Sequence, residues 1–333
     1  MQAKLLLLGA LAVAGAFIAL SLNSKPAQTD SSAAFFAFTR EHKKVYATSQ
    51  EAEYRKTVFE QRLARIERHN AQNLSYKLGI NKFSDLTFEE FKNYYLSKMV
   101  MDNAGNHPAV SEPVTKGKKV DWRDKKVITQ VKDQGQCGSC WAFSATGALE
   151  AAYGIKNKAA PTELSEQELV DCSGEEGNEG CNGGLMTYAY EYVKKNQLAS
   201  EEDYAYTAQD GDCSADKSQK RFGLKSYKLL SKFDVNTLIT AIDTQPVAVA
   251  IEVQDDFMDY SSGIYVNNDA SCGDGLNHGV LAVGYDTTSK TPFFIVKNSW
   301  SSTWGEEGYI RFAVGTGRGT CGIANKWDAI PQI

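Results

Sequence analysis

Three side chains far apart in this chain have the types needed for nucleophilic catalysis: Cys140, His278 and Asn298. Cys140 lies in Gln134-Gly135-Gln136-Cys137-Gly138-Ser139-Cys140-Trp141-Ala142-Phe143-Ser144, where a Gly-bearing stretch gives way to a helical run. At a helix N-terminus, unpaired N–H groups and the positive dipole end favour thiolate over thiol. A thiolate nucleophile still needs an acid–base partner. His42, His69 and His107 lie in or before an exposed linker, so cleavage there leaves His278 as the remaining imidazole. A lone histidine is more often structural than catalytic, but elimination reverses that order here. Such a histidine is oriented by a third group on its other ring nitrogen. Asn298, in Lys297-Asn298-Ser299-Trp300, ends a strand-like run and can accept that bond. An amide holds the ring without fixing its charge, which suits a thiolate–imidazolium pair. Trp300 beside it would shield the bond from water; a core tryptophan is the plainer reading, and Trp304 fits that role equally.

These residues need scaffolding. Cys140 to about Tyr153 reads as a helix whose Ala142, Ala145, Gly147 and Ala148 allow close packing. Ser165 before Glu168 suggests a capping box on a short helix, and Leu185–Lys195 a third helix. From Val247 the texture turns to strands, at Val247–Val253, Gly279–Tyr285, Phe293–Lys297 and Tyr309–Phe312. Helices first and strands afterwards indicate an α+β fold with two lobes. Upstream, residues 35–97 read as largely helical. Glu51, Arg55, Phe59, Arg62, Ile66 and Asn70 recur at steps of three and four along one helix face. Gly79–Asp85 reads as a turn and short strand, and Thr87 caps a helix from Phe88 to about Lys98. Between Met99 and Lys119 the pattern lapses into an exposed, cleavable linker.

Composition narrows the function. The 333 residues are 42% hydrophobic and 23% charged with 11% aromatics, which excludes disorder and low complexity. A net charge of −5 argues against a general nucleic-acid binder. Residues 25–117 carry 14 Lys and Arg against 11 Asp and Glu, whereas 118–333 carry 21 against 30. Two such parts would attract each other, although chance alone accounts for a split of this size. Lys4 followed by an apolar run, Leu5–Leu20, and small polar residues reads as a signal peptide over residues 1–24, with no other membrane-length stretch. Seven cysteines all follow residue 136. In an oxidising compartment six can pair, leaving one reactive thiol or one intermolecular bridge.

Around Cys140, His278 and Asn298 the chain resembles the papain family of cysteine proteases, and within it the cathepsin L-like group. The helical stripe is similar to the prodomain pattern E-x3-R-x3-F-x2-N-x3-I-x3-N, with Arg62 where Asn is usual. Gly79, Asn81, Phe83 and Asp85 match a second prodomain pattern, G-x-N-x-F-x-D. The resemblance implies a papain-like two-lobe fold, with a helical lobe and a β-barrel-like lobe, preceded by a small helical prodomain. It divides the chain into an inhibitory prodomain and linker over 25–117 and a peptidase domain over 118–333. Gln134 would supply an oxyanion-hole N–H, with the backbone N–H of Cys140 as the second. Gly183 and Gly184 would form the backbone platform for an extended substrate. Asn277 stands where many relatives carry Asp. The implied disulfides are Cys137–Cys181, Cys172–Cys213 and Cys272–Cys321, one of 15 pairings that six cysteines allow.

By the same resemblance, Leu185, Met186, Ala250 and Leu276 wall the pocket for the residue two before the scissile bond. Its floor, counted from Cys321, is Lys326. A one-residue offset at Pro331 would put Asn325 or Trp327 there instead. The implied partners are protein and peptide substrates, the chain's own prodomain as inhibitor, and cystatin-type inhibitors; the implied state is a monomer. No cofactor or metal is expected. The rival readings are weaker. A thiol oxidoreductase would use Cys137 and Cys140 but leave Gln134, His278 and Asn298 idle. A zinc site lacks a second C-x-x-C, and a binding protein derived from the fold would be expected to have lost Cys140. The expectation is a zymogen of a cysteine endopeptidase in the secretory pathway, bound for a lysosome, another acidic vacuole or the exterior.

Overall fold

In a computed structural model the described residues are 30–99, 118–216, 218–230 and 233–333. The signal-peptide segment and residues 100–117 of the expected linker lie outside them. Three helices open the described chain or follow closely: α1 (Ser31–Glu41), α2 (Ser49–Ala71) and, after strand β1 (Tyr76–Leu78), α3 (Phe88–Tyr95). Strand β2 (Lys119–Asp121) precedes α4 (Cys140–Asn157), α5 (Glu166–Cys172) and α6 (Met186–Asn196). The rest is mostly strand: β3 (Ser226–Leu229), β4 (Val247–Ile251), β5 (Tyr260–Tyr265), β6 (His278–Asp286), β7 (Phe293–Lys297), β8 (Tyr309–Ala313) and β9 (Ala329–Gln332). Helices α7 (Val235–Ile242) and α8 (Asp255–Met258) are interposed. The α+β expectation holds.

The sheet runs β1-β5-β8-β7-β6-β4-β9-β3, with β2 also on β6. β6 is buried on both faces, and its alternation sorts two cores. Val280, Ala282 and Tyr285 face one core with Phe294, Trp300 and Phe312. Leu281 and Val283 face the other, with Ala145, Ala148 and Leu149 of α4. Small residues let α4 lie close on the sheet. A Cβ at Gly147 would stand 3.0 Å from Leu281, and one at Gly279 3.1 Å from the backbone of Cys140 and Trp141. The Ser144 hydroxyl donates to the Val280 carbonyl at 2.7 Å, pinning the helix to the strand.

The N-terminal helices form a separate small core of Phe35, Phe38, Phe59 and Leu63. They attach to the rest as a sheet edge: β1 pairs antiparallel with β5, Tyr76 opposite Gly263. At φ +95, Gly263 leaves room for the Ser75 carbonyl, which a Cβ would meet at 2.4 Å. Phe83, Phe91 and Tyr95 then enter the same core as Trp300.

Several local expectations shift. The 35–97 stretch is interrupted between α1 and α2, and its strand lies at 76–78 rather than within Gly79–Asp85. Thr87 and Glu90 do make a full capping box, but α3 stops at Tyr95 because Leu96 turns extended. Ser165 makes only half of one. Its hydroxyl accepts from the Glu168 N–H, while the Glu168 carboxylate accepts from Tyr192 and the Ala199 N–H and pairs with Arg221. The three disulfides are Cys137–Cys181, Cys172–Cys213 and Cys272–Cys321, as the resemblance implied, and Cys140 is free and buried.

Because Gly279 carries the contact between helix and strand, Gly279→Ala should push α4 off β6. A loss of about 1–3 kcal/mol is expected, as for an added methyl in a packed core, read as a lower thermal midpoint of the precursor. An unchanged midpoint would mean the seam is looser than this.

Candidate active site

Cys140 is the first residue of α4. Ser139 precedes it but makes no side-chain cap; its hydroxyl hydrogen-bonds Tyr206 at 2.6 Å, and the Tyr206 hydroxyl donates to the Gln134 carbonyl. His278 begins β6, next to Gly279, whose N–H donates to the Cys140 sulfur at 3.2 Å. The strand pairing β6–β7 brings Asn298, just past β7, to the imidazole: His278 Nε2 donates to Asn298 Oδ1 at 2.8 Å. Since an amide oxygen can only accept, the proton sits on Nε2 and Nδ1 keeps its lone pair. Nδ1 has no hydrogen-bond partner, although it is buried. Trp300 lies on the imidazole, ring centroids 4.6 Å apart and 29° off parallel, and its N–H donates to Gln134 Oε1 at 3.1 Å. It therefore shields the histidine and belongs to the core at once. Trp304 is the more purely structural one, holding the Met258 carbonyl at 3.1 Å.

Gln134 is wholly buried. Ser299 and Trp300 donate to its Oε1, which turns its Nε2 into the cleft. There Nε2 donates to the Tyr95 carbonyl and to the Cys137 carbonyl, each at 2.9 Å. Tyr95 belongs to the N-terminal part. Past α3 the chain runs on as a strap through the cleft. Ser97 N–H donates to the Asn277 carbonyl at 2.8 Å, and Gly184 N–H donates to the Ser97 hydroxyl at 3.2 Å. The Ser97 side chain also lies by Cys140 and favours its ionised form. Lys98 N–H donates to the Asn182 carbonyl at 3.3 Å, and a Cβ at Gly183 would stand 2.5 Å from the Lys98 carbonyl. Gly183 must be glycine there, with φ +140.

Burial beneath the strap sets the charges. It pushes the Cys140 thiol up to about 11, against which the N–H of Gly279 works only partly. It lowers His278 to about 4, with the Asn298 bond opposing. The pair is neutral at neutral pH. The thiolate expected from the helix N-terminus is overridden here by desolvation.

The pocket residues are only partly gathered. Leu185 and Met186 are buried at the start of α6, and Ala250 is buried in β4. Leu276 lines a cavity of about 320 Å³ with Met99, Phe233, Gly322, Asn325 and Trp327. Lys326 is not among its lining residues; its ammonium lies over the Trp327 ring, 4.6 Å from the centroid. Asn325 takes the inward position instead, donating to the Ala250 and Gly322 carbonyls at 2.9 Å. Asn325 and Trp327 thus line this cavity and Lys326 does not, the turn after Ile323 folding Asn325 inward over Asp328. Asn277 uses its side chain on Val253 rather than on the cleft. Ser97, Tyr206, Gly279 and Ser299 were not foreseen. Only Ser299, between Asn298 and Trp300, carried any signal in the sequence. Among the described residues no three His, Cys, Asp or Glu are placed to hold a metal ion, and no helix is long and apolar enough to cross a membrane.

Comparison with known proteins finds two family matches: papain family cysteine protease over residues 116–330, and cathepsin propeptide inhibitor domain over residues 35–91. A cathepsin L-like proteinase of Fasciola hepatica is 44% identical over 285 residues, covering 82% of this chain and 85% of that protein. Cysteine proteinase 3 of Solanum lycopersicum is 41% identical over 309 residues, 89% of this chain and 84% of that one. Among solved structures, digestive procathepsin L2 proteinase from Tenebrio molitor superposes with a TM-score of 0.85 at 35% identity, covering 91% of this chain and all of that one.

Only thiolate reacts with an alkylating agent. In the intact precursor, iodoacetamide labelling of Cys140 should therefore rise by roughly tenfold per pH unit from pH 7 to 10. A plateau in that interval, with the chain shown uncleaved by gel, would contradict the raised thiol.

Proposed function

Because this chain belongs to the papain family of cysteine proteases and carries that family's inhibitory propeptide domain, we propose that it is a cysteine endopeptidase made as a zymogen, with Cys140 as nucleophile, His278 as acid–base and Asn298 as orienting group. The observation that carries this reading is the His278–Asn298 bond at 2.8 Å beside the one cysteine left outside a disulfide. The Cys140 proton passes to His278 Nδ1, and the thiolate attacks the peptide carbonyl carbon. The carbonyl oxygen, now an anion, accepts from Gln134 Nε2 and the Cys140 backbone N–H. Tyr95 offers a carbonyl to Gln134 in the precursor, which supports this assignment. The C–N bond then breaks as His278 protonates the amine. Water, deprotonated by His278, attacks the thioester and releases the acid with the free thiol.

The prodomain, assigned to residues 25–117, inhibits by occupying these groups. It enters at Gln134 with Tyr95 and leaves past Leu276 with Met99. A substrate whose second residue before the scissile bond sits by Leu276 runs the opposite way, so the strap is not presented for cleavage. Release exposes Cys140 and His278 to water, removes their desolvation and permits the thiolate–imidazolium pair. The pair Lys82–Asp133 joins the two parts, while Asp85 binds Lys44 and Tyr46 within the prodomain. Processing in the secretory pathway, a lysosome or a vacuole completes this reading.

The walls Leu185, Met186, Ala250 and Leu276 favour an apolar residue two before the cut; the inward Asn325 is neutral, and the carboxylate on the cavity lining, Asp274, is already held by Arg318. Cleavage after Phe-Arg or Leu-Arg should exceed cleavage after Arg-Arg in kcat/KM; the reverse order would refute the pocket. Cys140→Ala should lose activity by about 10⁴-fold or more while keeping its three disulfides. Gln134→Ala should lower kcat by about 10²–10³. Turnover by purified Cys140→Ala within about a hundredfold of the native rate would refute the nucleophile.

A further inference from the structure

Arg62 departs from the prodomain pattern, and the fold gives it a job that the inhibition scheme leaves unused. It sits on α2, 7% exposed, and reaches out of the prodomain. Its Nη1 donates to Asp259 Oδ2 at 2.7 Å and to Asp255 Oδ1 at 3.0 Å, and its Nη2 to the Leu86 carbonyl at 3.0 Å. Arg65, one turn on, also pairs with Asp255. Asp259 lies between α8 and β5 and is fully buried; its second oxygen, Oδ1, has no partner. The prodomain supplies much of its cover, since Gly79 N–H donates to the Asp259 carbonyl at 2.8 Å and Asn81 to that of Met258 at 2.8 Å.

A buried pair of this kind adds little net affinity, because desolvating both ions offsets their attraction. Mispairing is what it punishes: without Arg62 the fully buried Asp259 loses its hydrogen-bonded counter-charge, whereas without Asp259 the buried Arg62 keeps only the half-exposed Asp255. Burial raises the Asp259 carboxyl to about 6 even with Arg62 beside it. The closed precursor thus binds a proton there more readily than an opened one would, which is the wrong sense for an acid trigger. The pair serves discrimination, not release.

We propose that Arg62 and Asp259 form a recognition key by which this prodomain selects a catalytic domain bearing a carboxylate at position 259, its own, over papain-family domains with an uncharged residue there. The proposal rests on the reading of the prodomain as the shield over Cys140. It requires the two residues to be coupled, each depending on the other and neither on the chemistry.

The test uses the full precursor and the rate of Cys140 alkylation by iodoacetamide at neutral pH, with processed enzyme as the unshielded reference. Arg62→Asn should raise the precursor's rate by at least about tenfold, since it strands the buried Asp259; Asp259→Asn should raise it by less, since Asp255 still holds Arg62. The double variant should react more slowly than Arg62→Asn, because the stranded carboxylate is gone. Arg62→Asn yields the same processed enzyme as the native chain, so its effect stands even where Asp259→Asn fails to fold. In that case Arg62→Leu/Asp259→Leu replaces the double variant. Equal rates in all precursors, or a double variant whose increase is the product of the two singles, would overturn the key while leaving the shield intact. A native precursor that reacts as fast as processed enzyme would overturn the shield and the key together.

Discussion

The close packing of α4 against β6 is the constraint on which the rest of this structure depends. Cys140 and His278 come from different layers, and they meet because Gly147 and Gly279 let a helix lie on a strand with almost no side chain between. The Ser144 hydroxyl and the Gly279 N–H then tie backbone to side chain across the seam. Deeper in α4, Glu150 is buried and paired with Lys132, which also holds Glu166 at 2.7 Å and so joins α4 to α5. This ion cluster fixes the loop that carries Gln134. Without the seam the sulfur and the imidazole are ordinary groups on two separate elements.

Latency uses the same physics in the other direction. Cys140 and His278 are kept neutral by removing water from around them. The strap from Tyr95 to Met99 does this with few specific bonds: a carbonyl to Gln134, N–H groups to Asn277 and Asn182, and the Ser97 hydroxyl, which accepts from Gly184 beside the thiol. Its footing is the aromatic cluster of Phe83, Phe91 and Trp300, with ring centroids 5.0–5.6 Å apart, and Trp300 is also the ring stacked on His278. The prodomain therefore rests on the ring that covers His278. The excess of basic residues before 118 and of acidic ones after it finds a concrete form in Arg62, Arg65 and Lys82 against Asp255, Asp259 and Asp133.

Legibility in the sequence followed the range of the interactions. Thr87 with Glu90, three residues apart, was readable as a cap because the partners are local. Ser165 with Glu168 has the same spelling, yet Glu168 is drawn away by Tyr192, Ala199 and Arg221, none of them near in sequence. The strand β1 was misplaced because three residues carry no alternation of their own; pairing with β5 makes them a strand. Lys326 was counted into the pocket by its distance from Cys321, whereas a turn held by Asp328 puts Asn325 inward.

The sequence by itself determined the family and supplied the residue types of the proposed chemistry: an odd cysteine at a helix start, a single histidine beyond the linker, an asparagine at a strand end, and two prodomain patterns. Residue type and local spacing are properties of the chain, and they survive without coordinates. Tertiary structure alone decided the charge state of Cys140 and His278, the residue that lines the pocket, and the partner of Arg62. Each of these depends on which distant groups exclude water or supply a counter-charge. Desolvation and ion pairing act through space over a few ångströms, and 197 residues of chain separate Arg62 from Asp259.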